Sequence, residues 1–434
     1  MMKKARTDRI KFHNYAELFL CCLVCFVSLQ IFFPFVAESF FSFVPVTVSV
    51  FLTAIIAFYN KRHFTNKDII YLIVVFVWFF WFYLCVALGG SGIPKTYPSM
   101  LLAIVGTFLC ALPVIRKDMT EWTRILVVLL GISIVATFLI SMPYLQDNIF
   151  VVRELAAGIE TGKTIGLGGY EFSYCIAFLS PCFLLLFRAE AGWRRILMIC
   201  VVVVSCIYSA QCGLFMTLLI NIAGIAFYLL FKIKKTNRKL ILFLVILALL
   251  VFLVLVGTDV LVSLLEKVND VIDNEVLNRK LSDIIHSLLG EEEQYGTFSG
   301  RVSRYFISLK TFAASPIIGG AMFGTIETSG GHSMLLDYLA ISGLLGTILF
   351  VGAFVTVYKL VAPKLRNKIS KYVLWEMLVI FFVIAAIKGT NNFAIFWTML
   401  VIAPLFILYA DKLLVGERNM YNEGTANQLC EQTR

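Results

Sequence analysis

The sequence has no Asp-x-Asp pair, no Gly-x-x-x-x-Gly-Lys-Ser/Thr loop, no His-Glu-x-x-His, no Gly-x-Ser-x-Gly and no cluster of paired cysteines. Each absence removes a chemistry. In order, they argue against metal-nucleotide sugar transfer, ATP hydrolysis, zinc proteolysis, a serine-esterase elbow and a structural zinc site. Charge is also scarce: Asp, Glu, Lys and Arg make up 15% of the 434 residues, and there are only four histidines. With 60% apolar residues and a mean hydropathy of +0.89, the chain is no ordinary soluble protein. A disulfide framework is unexpected too. Ten of the eleven cysteines lie in or beside apolar runs, and Cys430 lies in a polar tail. Cys22 and Cys25 have the spacing of a redox pair, but in an apolar run without a second pair they are expected as small buried hydrophobes.

What the chain has in abundance is long apolar runs. A hydrocarbon core about 30 Å thick needs about 20 apolar residues per helix. The expected fold class is therefore all-α and polytopic, with about twelve spans near 16–36, 40–59, 68–88, 97–115, 122–142, 170–187, 194–210, 212–231, 239–257, 333–357, 373–388 and 393–410. The first run continues to Val36 without a small-residue cleavage site, so it is expected as a spanning helix and not a removed leader. The expected divisions are nine spans in 1–257, an extracytoplasmic catalytic loop in 258–332, three spans in 333–410 and a cytoplasmic tail in 411–434.

The net charge of +10 would suggest nucleic acid in a soluble chain, but here it follows the positive-inside rule. With the N-terminus placed inside and the spans alternating, 27 of the 37 Lys and Arg residues fall on the inner side. Both termini are then cytoplasmic. Two outer segments are long, 143–169 and 258–332, and long loops in compact proteins usually carry function or are disordered. From Leu261 to Leu289 the second shows apolar residues at helical spacing between acids and amides, the pattern of amphipathic helices lying on a membrane.

The candidate site lies at the end of that second segment. Arg301 and Arg304 are three residues apart, so they share a helix face. Arginine holds phosphate oxygens in a bidentate fork, and it also snorkels to lipid headgroups. His332 follows Ser329-Gly330-Gly331 at the mouth of an apolar run. It can take a proton from a hydroxyl there, or cap and anchor the helix that begins after it. Of the polar residues inside apolar runs, Glu171 ends a glycine-rich stretch and can line a site or simply be solvated at the helix end. Asp337, five residues beyond His332, is not expected to face it. Glu376 and Lys388 complete the list of charged residues in such positions.

The order Ser299-Gly300-Arg301, a helix ending at Ser315-Pro316, Ile317-Ile318-Gly319-Gly320, then Gly331-His332-Ser333 and Gly343-Leu344-Leu345-Gly346 resembles the O-antigen ligase and O-antigen polymerase (Wzy-like) superfamily of membrane glycosyltransferases. Members usually carry Asn where this chain has Ser333, and many have a Pro-Asn segment where it reads Gly166 to Phe172. The resemblance implies transfer of a glycan from a polyprenyl diphosphate to a sugar hydroxyl, without metal or other cofactor. Arg301 and His332 would be catalytic, and Arg304 and Arg153 would bind substrate; Glu171, from its place at the outer end of a span and not from the resemblance, is a further substrate-binding candidate. The implied setting is the bacterial cytoplasmic membrane. The implied partners are the lipid-linked oligosaccharide, membrane lipids, and a chain-length regulator and flippase of the same pathway, with no nucleic acid. Polymerase is the first expectation and ligase the second. A transporter of lipid-linked sugars and an inactive scaffold subunit are the readings from other classes.

Overall fold

The computed structural model describes residues 15–35, 65–88, 97–116, 119–147, 151–152, 166–212, 214–230, 298–321, 330–389 and 391–416, with scattered residues between 266 and 285. Among these residues the fold is all-α, without strands. The helices are α1 (Tyr15–Phe32), α2 (Asn66–Leu88), α3 (Tyr97–Arg116), α4 (Thr120–Asp147), α5 (Tyr170–Ala189), α6 (Trp193–Gln211), α7 (Phe215–Leu230), α8 (Phe298–Ala314), α9 (Met334–Val361), α10 (Lys368–Ile387) and α11 (Phe393–Gly416). Seven of them are long and apolar enough to cross a membrane (α2, α4, α5, α6, α9, α10 and α11), and α1, α3 and α7 are shorter apolar helices. The chain is therefore a polytopic membrane protein. Ten of the expected runs fall on these helices. The runs at 40–59 and 239–257 lie outside the described residues, as do Arg153 and most of the expected amphipathic stretch.

Burial follows from a bundle solvated by lipid. In α2, Tyr71, Val75, Trp78, Phe82 and Cys85 recur every three or four residues and are buried, while Ile70, Ile73, Phe76 and Phe80 are exposed. Both faces are apolar because lipid tails solvate one and neighbouring helices the other. The central helix α5 is buried along almost its whole length. Phe350 and Phe354 of α9, Phe381 of α10 and Phe396 of α11 form one aromatic cluster, with Phe354 stacked on Phe381 at 4.7 Å. Among the pairs of polar groups inside the bundle, Asn221 of α7 accepts from Ser180 and Ser205 and donates to Ser209 Oγ at 3.1 Å, which joins α5, α6 and α7. Cys22 departs from expectation. It is exposed and Cys25 is half-buried, because they lie on the face of α1 turned away from Cys21, Leu23 and Val24, which are buried, and a thiol meets lipid as readily as protein.

Polar contacts gather at the two ends of the bundle. At one end Arg116 pairs with Asp68, its Nε 2.9 Å from Oδ1, and Lys364 Nζ donates to the carbonyl of Ile115. The carboxylate of Asp411 accepts the backbone N–H groups of Arg366 and Asn367 at 2.9 and 2.8 Å, and Tyr409 donates to Glu190 at 2.6 Å. All of these residues fall on one side of the alternation expected from charge. The opposite end carries the candidate site.

Candidate functional site

Helix α8 enters the bundle beside α9. The positions 301, 304, 308, 311 and 315 follow a three-four spacing and form one stripe, and Ser308, Thr311 and Ser315 on it are buried. Phe306 and Leu309, off the stripe, are exposed. The helix stops before Pro316, which cannot donate to a preceding turn. A tight turn then brings Ile317 to Gly320 against a break in α9 at Gly343, whose φ of 65° and ψ of −168° are essentially open to glycine alone. Gly320 donates to the carbonyl of Ala340 at 2.7 Å. In return, Leu344 and Leu345 donate to the carbonyls of Pro316 and Ile317 at 2.9 and 3.1 Å. A helix broken inside a membrane leaves backbone groups that lipid cannot satisfy, and the turn supplies their partners. Trp81 of α2 completes the joint by donating to the carbonyl of Ser342 at 3.1 Å.

The chain returns to the start of α9 at Gly330. A Cβ at that glycine would sit 2.1 Å from the carbonyl oxygen of Arg304, so the two backbones touch. Gly330 N–H donates to Ser308 Oγ at 2.9 Å, and Ser308 donates to Asp337 Oδ1 at 2.8 Å. Asp337 Oδ1 also accepts from Gly331 N–H at 3.2 Å. Spacing along the helix had set Asp337 apart from His332. Because the chain folds back over the helix start, its carboxylate instead fastens the residues just before the histidine to α8.

His332 is half-buried in this fold-back. The next residue, Ser333, caps α9 by accepting from Leu336 N–H at 3.2 Å and donates to the carbonyl of Ala386 at 2.7 Å. The cap is thus Ser333 and not His332. The end of α10 and the link to α11 pack against this fold-back, and Tyr305 of α8 donates to the carbonyl of Ile387. The carbonyl of Lys388 accepts from Met334 N–H at 3.2 Å, and a Cβ at Gly389 would lie 3.4 Å from the carbonyl oxygen of Gly331. Asn391 accepts from Tyr338 OH at 2.9 Å. Asn392 donates to the exposed carboxylate of Glu171 and caps α11 through Ala394 N–H at 2.8 Å. Lys388 Nζ stands 5.2 Å from the centre of the Tyr170 ring.

Arg304, His332 and Glu171 thus lie on elements that meet at one end of the bundle, with Arg304 and Glu171 exposed and His332 half-buried. Arg301 lies on α8 one helical turn from Arg304, on the same stripe. Arg153 lies outside the described residues. Sequence reasoning missed Ser308, the fastening role of Asp337 and the two asparagines of the segment 388–392. That last segment carried a signal: Lys-Gly-Thr-Asn-Asn is the one polar stretch between the apolar runs at 373–388 and 393–410. Among the described residues, no three His, Cys, Asp or Glu side chains converge as a metal site requires.

Comparison of the chain with protein-family models gives no match, and comparison with curated protein sequences gives none either.

Proposed function

We propose that this chain is a membrane glycosyltransferase of the O-antigen polymerase kind, with about twelve spans and its candidate site on the extracytoplasmic side of a bacterial cytoplasmic membrane. On this reading it transfers a glycan from a polyprenyl diphosphate to a hydroxyl of an acceptor sugar. The observation that supports it most is the backbone contact between Gly330 and Arg304, which holds the histidine loop against the helix that carries both arginines. A diphosphate gains negative charge as the glycosidic bond breaks, and guanidinium groups beside it stabilise that charge more in the transition state than before it. An imidazole at His332 takes the proton of the attacking hydroxyl as the new C–O bond forms. Such a positioned base contributes about 10²–10⁴-fold. Attack opposite the departing diphosphate inverts the anomeric carbon.

The test uses purified protein in detergent and a labelled polyprenyl-diphosphate repeat unit. A ladder of lipid-linked oligomers is expected, and the ladder disappears in Arg301→Ala and His332→Ala while membrane insertion is retained. A single transfer to a lipid A core or another acceptor would make the chain a ligase. No new glycosidic bond, or wild-type turnover in both variants, would overturn the reading.

A further inference from the structure

Helix α8 is fastened to three spans at graded depths. Two turns into it, Tyr305 donates to the carbonyl of Ile387, the last residue of α10. One turn further on, Ser308 bonds Asp337 in the first turn of α9. Past its far end the carbonyl of Ile318 accepts from Cys85 Sγ at 3.8 Å, and Trp81 holds Ser342 in the adjoining break of α9. Cys85 and Trp81 stand three and seven residues before Leu88, where α2 ends. At 1.5 Å per residue, the turn after α8 therefore lies about 5–10 Å below the end of that span. Gly330 is back against the backbone of Arg304, so the chain goes in and returns at one end of the bundle.

A bilayer tolerates such an excursion only where the backbone finds partners inside the protein. They are present here, since Pro316, Ile317 and Gly320 all exchange hydrogen bonds with α9. The flank of α8 turned away from the buried stripe is apolar: Phe306, Leu309 and Ile317 are 65%, 41% and 68% exposed. Through the bonds of Ile317 this flank runs on to Leu344, Leu345 and Ile348, which are exposed on the membrane-spanning α9. One surface thus continues from a span onto α8. Its charged residue is Lys310, exposed one turn from Phe306. Side chains on a helix lean toward its N-terminus, and that of α8 points to the end placed outside by charge alternation. The ammonium can therefore rise along Phe306 to the level of lipid headgroups.

We propose that α8 is a re-entrant helix sunk into the outer leaflet, with phospholipid tails covering Phe306, Leu309 and Ile317 and Lys310 holding the phosphate of an anionic phospholipid. The segment 258–332 is then not wholly extracytoplasmic, although charge and hydropathy along the chain put it there. This placement depends on the span ends and the orientation of the bundle, and not on glycosyl transfer.

Two measurements test it. In intact cells a membrane-impermeant sulfonated maleimide is expected to label Glu171→Cys, exposed at the same end of the bundle, and to leave Phe306→Cys and Ile317→Cys unlabelled. The protein with its natural cysteines alone gives the background. In the second measurement, benzoylphenylalanine replaces Phe306, Ile317 or Ile348, and the protein is irradiated in vesicles of phosphatidylethanolamine and phosphatidylglycerol. Mass spectrometry is expected to find phospholipid adducts at 306 and 317 as at 348. At 306 phosphatidylglycerol is expected to exceed its share of the membrane about fivefold, the effect of one lysine near a lipid surface, and to lose that excess in Lys310→Leu. Labelling of either α8 cysteine at the rate of Glu171→Cys, or adducts at 348 alone, overturns the re-entrant placement. An unlabelled Glu171→Cys overturns the choice of the outer leaflet. Equal enrichment with and without Lys310 overturns the role of the lysine.

Discussion

At the scale of single residues, glycines, small hydroxyls and one buried carboxylate set where the functional side chains stand. Gly330→Ala would place a methyl group 2.1 Å from the carbonyl oxygen of Arg304, and a rigid backbone oxygen cannot give way. The histidine loop must then lift from α8. We expect the variant to insert normally and to lose at least about tenfold in turnover, since small misplacements of reacting groups cost that much or more. Wild-type turnover in a correctly inserted Gly330→Ala protein would show that the contact between loop and helix is not needed. Asp337→Ala removes the acceptor shared by Ser308 and Gly331 and leaves both donors without their partner. A loss of about 1–3 kcal/mol is expected, measured as a lower melting temperature in detergent. Glu376 is the opposite case. It is buried in α10, and neither carboxylate oxygen has a hydrogen-bond partner among the described residues. Glu376→Leu removes an uncompensated polar group and is expected to raise the melting temperature. A fall would show that the carboxyl is bonded after all.

At the scale of elements, the joint between the end of α8 and the break in α9 is the feature that fixes the site. Two glycines with positive φ, Gly319 and Gly343, let the turn and the broken helix exchange backbone hydrogen bonds. A Cβ at Gly343 would lie 2.3 Å from the carbonyl oxygen of Ile317, and one at Gly319 would lie 2.2 Å from that of Ile341. The strained conformation alone costs about 1–3 kcal/mol for any other residue, and the clash adds to it. Gly319→Ala and Gly343→Ala are therefore expected to lower the melting temperature sharply and to abolish product. Gly352→Ala lies in the same helix with nothing within 4 Å of the added carbon, and is expected to be neutral or slightly stabilising. Equal effects at Gly343 and Gly352 would mean that the joint is not what holds α8 in place. Its parts were visible beforehand as Ser315-Pro316, Gly319-Gly320 and Gly343-Leu344-Leu345-Gly346. Their mutual fit was not, because more than twenty residues separate them in the chain.

At the scale of the whole molecule, the charge alternation and the polar ends of the bundle agree. Asp68, Arg116, Glu190, Lys364 and Asp411 come from five separate segments of the inner side expected from the sequence, and they bond one another or neighbouring backbone at one end. Glu171, Ser333, Lys388 and Asn392 meet at the other end. A reporter fused near residue 290 is expected to be extracytoplasmic and one near 365 cytoplasmic. The reverse result would put the candidate site in a compartment where the proposed donor does not present its glycan.

The amino-acid sequence alone determined that this is a helical membrane protein, where most of its spans lie and which segments share a side. Those properties depend on local hydrophobicity and on the summed charge of short loops, both of which can be read along the chain. It also picked out Arg301, Arg304 and His332 by their setting. Only the tertiary structure decided that Asp337 fastens the histidine loop through Ser308, that Ser333 is the helix cap, and that Lys388 and Gly389 pack against the residues flanking the histidine. Hydrogen bonds of that kind join residues brought near by packing. No local preference encodes them, so they appear only once the helices are in place.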